Sequence, residues 1–380
     1  MAERIRVCLD EAAIRDNIRA VRHLSGTAQV MGVVKANAYG HGLVPAARLL
    51  VHHGVHQLAV ATPEEACVLR EAGLRAPITV LSPTSASAMA ELVARRVRPS
   101  LSTLAAARDL HRAAVRLGRR APVHLEVDTG LGRYGWAPTP AGVAQIERLT
   151  MLDHLVVASV YTHLGGTCRD SLADGLQRFQ RMYEKVVEVL GHRPARHALA
   201  SSALAAGLHN DTPLEMVRPG ALLYGLAPAY AAAPLGIGLR SVLSLTSHIA
   251  HVSEMPAGAS IGYDATYRTL EPVVVAVVPA GFADGIPRVL AGAGRVLIHG
   301  CHAPIIGTVG MTHLTVDVTD IPQAALGDAV TLIGAQGVRA IDAQEWARLA
   351  GTINSDVLTR VAPTFPRTVI TPHAPMELSA

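Results

Sequence analysis

Eight short apolar runs, mostly separated by stretches with helical spacing, fill the first 225 residues of this 380-residue chain. They read VMGVVK, QLAVAT, ITVLSP, VRPSLST, VHLEVDTG, VVASVYTHL, RHALASSA and MVRPGALLYG. Runs this short and this apolar suit strands buried on both faces. A composition dominated by Val, Leu and Ala, with only 3% aromatic residues, agrees. The intervening stretches carry helix signals. Pro63 sits at a first helical position, and LAAARDLHRAAVRLG keeps its apolar spacing as far as a stop at Gly118. Eight strand–helix repeats predict an α/β fold with an N-terminal (β/α)8 TIM-like barrel; an open doubly wound sheet is the runner-up.

After Pro234 the texture changes. SVLSLTSHIAHV, VVVAVV, RVLIHG, APIIGTV, LTVDVT and AVTLIG are strand-like, closely spaced and punctuated by Gly and Pro. They predict a C-terminal, mainly β domain that ends in a short helical tail, AQEWARLAG and NSDVLTRVA. The expected boundary lies near 235, with the barrel over 1–235 and the β domain over 236–380.

Several function classes fall away. Net charge is +4, and the densest arginine groups (Arg95, Arg96 and Arg98; Arg116, Arg119 and Arg120) are short. They read as solvated helix faces, and no recognition motif accompanies them, so no nucleic-acid partner is expected. The start, MAERIRVCLDE, has no apolar core of a signal peptide, and no run is long enough to span a membrane. Cys8, Cys67, Cys168 and Cys301 share no C-x-x-C spacing and read as reduced thiols, so the expected compartment is the cytoplasm.

The chemistry is expected at the C-terminal ends of the barrel strands. Lys35 ends the first run, and it is one of only two lysines among 34 basic residues, the other being Lys185. Glu126 and Asp128 come late in the fifth, followed by Arg133; His163 ends the sixth, Ser201 and Ser202 the seventh, and Arg218 lies at the eighth. A lysine at an apolar barrel mouth is partly desolvated, which favours the neutral amine. Such an amine forms a Schiff base with an aldehyde, and pyridoxal phosphate is the common aldehyde cofactor. Tyr39, Ser202 and the Arg218-Pro219-Gly220 turn can cradle its phosphate. Two other patterns read blandly. GLGRYG (130–135) matches a dinucleotide loop, but Pro138 and Pro140 disfavour the helix that loop must open. His52, His53 and His56 surround Gly54 with no carboxylate nearby in sequence, so they read as surface histidines and no metal is expected.

VVKANAYGHG resembles the lysine motif of bacterial alanine racemases. LDEAAIRDNIRAV, HLEVDTGLGRYG, VYTHL, MVRPGALLYG, GYDATYRT, VPAGFADGIPR, APIIGTVGMTHLTVDVTDIP and INSDVLTR follow in that family's order, so the resemblance spans essentially the whole chain. It implies a pyridoxal phosphate-dependent racemase of amino acids, alanine by default, working as a homodimer with composite active sites. Lys35 would hold the cofactor and act as the base on the D face. Tyr263, from the other subunit, would be the base on the opposite face. Arg218 would contact the pyridine nitrogen, and His163 would support Arg218 and the tyrosine base. Tyr39, Ser202 (or Ser201), Gly220 and Ala221 would hold the phosphate. Arg133 would meet the cofactor's phenolic oxygen, and Met311 of the partner subunit the substrate carboxylate.

Three positions depart from the family pattern. Glu126 stands where the family commonly carries a carbamylated lysine, Gly310-Met311-Thr312 replaces Cys-Met-Asp, and Pro363 replaces a tyrosine near the phosphate. The first two keep open a different substrate, such as serine or an amino acid of a specialised pathway. A protein that binds the cofactor with little racemase activity is the reading from another class.

Overall fold

A computed structural model of the chain describes residues 4–228 and 238–371. The boundary expected at 235 lies outside the described residues. Strand β1 covers Arg6–Asp10, and the next eight strands are β2 (Gln29–Val33), β3 (Gln57–Val60), β4 (Ile78–Val80), β5 (Arg98–Leu101), β6 (Ala121–Glu126), β7 (Leu155–Tyr161), β8 (Ala195–Ala200) and β9 (Met216–Arg218). Strands β2 to β9 pair in parallel, each with the next, and β9 returns to β2 through Gln29–Met216 and Val30–Val217. The closure decides for the barrel over the open sheet. The eight runs read from the sequence are these eight strands.

The signals that start the helices are local. Thr62 accepts the Glu65 N–H while Glu65 reaches back to the Thr62 N–H, a capping box with Pro63 in the first turn. Thr103 and Thr139 cap helices Leu104–Arg116 and Pro140–Leu149 by accepting the N–H groups of Ala106 and Gly142. Each helix turns its apolar stripe onto the barrel; Leu110, Phe179, Tyr183 and Val186 are among the residues that close the layer.

The second sheet comprises β10 (Leu243–His248), β11 (His251–Met255), β14 (Val273–Val278), β15 (Arg295–Ile298), β16 (Cys301–Ile306), β17 (Leu314–Asp317) and β18 (Ala329–Gln336), with β12 (Ser260–Ile261) and β13 (Tyr267–Arg268) as a separate hairpin. Two late strands complete it, β19 (Arg339–Ile341) and β20 (Arg367–Ile370). Strand β1 joins this sheet, antiparallel to β10 and parallel to β20. Residues 6–10 lie within the 1–235 expected for the barrel, yet they pair with the β domain. A five-residue run at the start of a chain follows no element that would reveal which sheet takes it.

The C-terminal segment also docks on the barrel mouth. The Arg367 guanidinium, half-buried, donates to the carbonyls of Gly40 (2.9 and 3.1 Å), Val361 (3.1 Å) and Ala362 (2.8 Å). Gly40 has φ 84°, and a Cβ there would collide with the Leu358 carbonyl, so only glycine allows this approach. Arg367→Ala removes the donor that these carbonyls share. Its expected cost is about 3 kcal/mol of unfolding free energy, read as a lower denaturant midpoint at unchanged m-value.

Candidate active site

The segment just after Lys35 organises the mouth of the barrel. Ala36, Asn37, Ala38 and Tyr39 all have φ of 53–55°, a left-handed turn without a glycine. Each such residue costs roughly 1–2 kcal/mol, so the turn persists only because its surroundings hold it. The Ala36 N–H donates to Glu65 Oε1 at 2.6 Å, and Glu65 Oε2 accepts from Ala61 at 2.9 Å. Asn37 Oδ1 accepts from Leu43 (2.8 Å), and the Gly42 N–H donates to the Asn37 carbonyl (2.9 Å). Buried His41 donates from Nδ1 to the carbonyls of Ala38 (2.9 Å) and Tyr39 (3.0 Å). The result swings Tyr39 back across the opening. Its ring lies 5.3 Å from that of Tyr224, and its hydroxyl occupies the space a Cβ on Gly220 would need. Burial pushes the Tyr39 phenol up to about 12, so it remains a proton donor at neutral pH.

A cavity of about 540 Å³ opens here, lined by Lys35, Tyr39, Arg133, His163, Ser202, Arg218, Gly220 and Ala221. Residues expected together from scattered sequence positions therefore share one wall. Burial lowers the Lys35 pKa, and the positive charges of Arg133 and Arg218 lower it further. The neutral amine is correspondingly closer to reach.

Arg218 is buried, and both terminal nitrogens of its guanidinium are engaged. One nitrogen donates to His197 Nδ1 at 2.7 Å; the other donates to the Thr162 carbonyl at 2.8 Å and lies 3.4 Å from His163 Nδ1. The guanidinium also lies 4.8 Å from the centre of the Tyr161 ring. Since arginine only donates, His197 must accept at Nδ1 and carry its proton on Nε2. That proton points to His124 Nδ1 (2.9 Å) and Ser159 Oγ (3.0 Å), and His124 Nε2 continues to Thr79 Oγ1 (3.3 Å). Burial lowers both His124 and His163 to about 3, helped by the positive charges of Arg98 and Arg218 at His124 and of Arg218 and Arg133 at His163. His197 is driven well below its usual range by burial and by Arg218. The network is neutral and fixed around one cation.

Glu126 is buried, accepts from the Tyr161 hydroxyl at 3.0 Å, and stands 3.9 Å from the Arg133 guanidinium. Burial pushes its carboxyl up, against the pull of Tyr161, Arg218 and Arg133. Asp128 does not line the cavity. Its Oδ1 accepts the N–H groups of Gly130, Leu131 and Gly132, which shapes the loop that carries Arg133. The next helix opens only at Pro140, so GLGRYG lacks the helix that a dinucleotide loop needs.

The structure separates several pairs that sequence alone left together. Ser201 Oγ accepts from the N–H groups of Gly220 (3.0 Å) and Leu222 (3.3 Å), whereas Ser202, among the described residues, has no protein partner for its hydroxyl. Pro363 does not line the cavity; Ile353, Ser355, Asp356 and Thr359 do. Their approach depends on the Gly40–Leu358 contact, which no local pattern announces. Tyr263 and Met311 lie outside this cavity and are 68% and 61% exposed. The Tyr263 N–H is held by Thr308 Oγ1 at 3.1 Å, three residues before Met311. Finally, the carboxylate missing from the histidine group in sequence is supplied by Glu11. It pairs with His53 at 3.0 Å, and ligand atoms of Glu11, His52 and His53 lie within 4.8 Å of one another. His56 does not belong to that group.

Residues 9–228 match the model of the alanine racemase N-terminal domain, and residues 242–369 that of the C-terminal domain. The chain belongs to the alanine racemase family. It is an amino-acid racemase, an isomerase. An alanine racemase of Symbiobacterium thermophilum is 38% identical over 94% of this chain and 95% of its own length. The crystal structure of alanine racemase from D-cycloserine-producing Streptomyces lavendulae superposes with a TM-score of 0.90 at 32% identity, covering 97% of this chain and 98% of that one. A histidine racemase from Leuconostoc mesenteroides superposes with a TM-score of 0.88 at 25% identity, covering 97% and 98%. One scaffold thus carries racemases named for different substrates.

The buried histidines give the racemase a defined acid response. The folded pKa of His41 is lowered to about 4 and those of His124 and His163 to about 3, against 6.5 in the unfolded chain. Folded pKa values that are depressed mean that the unfolded chain takes up protons the folded one refuses. Their contribution to stability is complete above pH 6.5 and is lost as pH falls towards 4. Each histidine adds about 1.4 kcal/mol per pH unit to that slope. His41→Asn, which keeps a donor near the Nδ1 position, is expected to remove one such increment, measured as denaturant midpoints between pH 6 and 5.

Proposed function

We propose that this racemase interconverts L- and D-alanine, with pyridoxal phosphate held at Lys35, as a homodimer in the cytoplasm. The observation that carries the reading is the shared cavity. An amine of lowered pKa stands among the free Ser202 hydroxyl, the protonated Tyr39 phenol and the backbone at Gly220 and Ala221, where a side chain on residue 220 would strike Tyr39. That set fits an aldehyde with a phosphate arm. When bound, the cofactor withdraws electrons from the substrate's Cα and makes its proton removable. The remaining work belongs to the chain.

Lys35 takes or returns the α-proton on the D side, and Tyr263 of the partner subunit does so on the other, since racemisation needs a base on each face. Tyr263 lies outside the cavity of its own chain and projects from the β12–β13 hairpin, which suits delivery to a second copy. Arg218, a donor that does not give up its proton, would face the ring nitrogen of the bound cofactor and leave it unprotonated, which would favour rapid return of the proton to Cα. His163, neutral, holds Arg218 from one side. Arg133 orients against the phenolic oxygen with Glu126 behind it, and Met311 of the partner subunit meets the substrate carboxylate. No helix among the described residues is long and apolar enough to cross a membrane, which accords with a small-molecule enzyme of the cytoplasm.

A second reading, another amino acid such as serine, draws on Gly310 and Thr312. There the resemblance anticipates a cysteine and a carboxylate, so more room and less negative charge are available. Incubating the enzyme with a panel of L- and D-amino acids in D2O and scoring α-deuteration decides between the readings. Alanine is expected to lead. Faster exchange of another amino acid transfers the assignment to it, and exchange of none leaves a cofactor-binding protein.

Glu126 offers a narrower check. Glu126→Gln retains an acceptor for Tyr161 and removes the charge facing Arg133. The expected loss is about tenfold in kcat/KM, with no rescue by bicarbonate. An unchanged kcat/KM would mean that Arg133 needs no such support.

A further inference from the structure

The barrel's other end holds a second cavity of about 410 Å³, lined by Arg70, Arg75, Arg96, Arg98, Arg119 and Arg120 over a floor that includes Val93, Val97 and Pro77. The two arginine groups that the sequence reads as separate solvated faces contribute to this one hollow, at the N-terminal ends of β4, β5 and β6. No carboxylate lines it. Glu71 and Glu91 are engaged elsewhere: both bind Arg95, each at 2.9 Å.

The six cations are not equivalent. Arg70 is structural, donating to the carbonyls of Leu74 (2.7 Å), Ala76 (2.8 Å), Arg95 (3.1 Å) and Arg96 (3.1 Å). Arg119 donates to the Ala94 carbonyl at 2.7 Å. Arg98, half-buried, reaches only the Gln57 amide oxygen, at 3.3 Å. The side chains of Arg75, Arg96 and Arg120 have no protein partner among the described residues, and the three are exposed. Several arginines elsewhere in the chain pair with acids, as at Arg4–Asp284, Arg193–Glu184, Arg196–Glu215 and Arg295–Glu345. Burial lowers the pKa of Arg98; burial first, and then the charge of Arg98, lowers that of Arg70.

We propose that this hollow binds a small anion carrying two or more linked phosphate groups. Planar guanidinium forks match phosphate oxygens two at a time, and several forks converging on a concave site favour a ligand with more than one phosphate. The volume suits a molecule up to the size of a nucleotide, and the apolar floor can receive a ring attached to the phosphates. The inference does not rest on the racemase reading, since no residue of this site lines the Lys35 cavity.

Calorimetric titration of the purified holoenzyme with pyrophosphate, ADP, inorganic phosphate and a short single-stranded oligonucleotide tests it. Pyrophosphate or ADP is expected to bind at least tenfold more tightly than phosphate, and raising the salt should weaken that binding. The double variant R75Q/R120Q alters two exposed side chains without partners, so it should fold and keep basal racemase activity while losing at least tenfold in affinity. R98M, read in the same titration, is expected to lose a similar factor. Four results overturn the proposal: no binding of either polyphosphate, equal binding of phosphate, affinity untouched by R75Q/R120Q, or tighter arginine-dependent binding of the oligonucleotide, which would make this a nucleic-acid surface.

Discussion

Lys35→Ala is expected to purify without the yellow colour of a lysine-bound pyridoxal and to lose about 10⁴-fold or more in kcat. The size of the effect follows from how few amines the chain has. The other lysine, Lys185, lies on helix Arg169–Leu190 and does not line the cavity, so no neighbouring amine can substitute. The loss should be chemical and not structural. The alanine variant keeps the left-handed turn, whose holding bonds come from Glu65, Asn37, His41 and Arg367. It also removes a cation whose charged form is disfavoured by burial and by Arg133 and Arg218. Its thermal midpoint is therefore expected at or above that of the cofactor-free parent, and a small added amine should restore part of the activity. A variant that stays yellow would show that Lys35 does not carry the cofactor.

The residues that were legible in sequence are those whose signal is local. Each barrel strand is a short apolar run, several helix starts carry a Thr cap or a Pro, and the chemistry-bearing residues fall where the runs end. The illegible remainder depends on contacts made across the fold. The strain at Ala36–Tyr39 is invisible because none of the four is glycine; only Gly40 and Gly42, with φ of 84° and 88°, mark the exit from the turn. Glu65 is recognisable as half of a capping box, but its second role, holding Ala36, requires β2 and β3 to lie side by side. Glu11 meets His53 only because the helix it starts packs against the helix that ends at His52. The arginine hollow escaped for the same reason. Arg96 and Arg119 are more than twenty positions apart and meet because parallel strands gather their N-terminal ends.

Tyr263→Phe is expected to slow racemisation about 10²–10⁴-fold, and the form of the loss is more telling than its size. Enantiomers are equal in free energy, so the two directions must lose kcat/KM by the same factor whichever base is removed. The difference appears in exchange with solvent. Lys35, still present, can take the α-proton from the D enantiomer, trade it for deuterium and return it on the same side. The L enantiomer, whose proton faces the missing phenol, should exchange far more slowly. Equal exchange from both would end the two-base assignment. A composite site, as proposed, gives a further expectation. Tyr263 is 68% exposed and lies outside its own chain's cavity, so each site would take Lys35 from one chain and Tyr263 from the other. In a hybrid of one Lys35→Ala chain and one Tyr263→Phe chain, one site collects both substitutions and the other neither. Unfolding the two inactive variants together and refolding them with cofactor should therefore recover about a quarter of the parental activity, half of the dimers being hybrids with one of two sites intact. If each chain built its own site, the mixture would stay as inactive as its components.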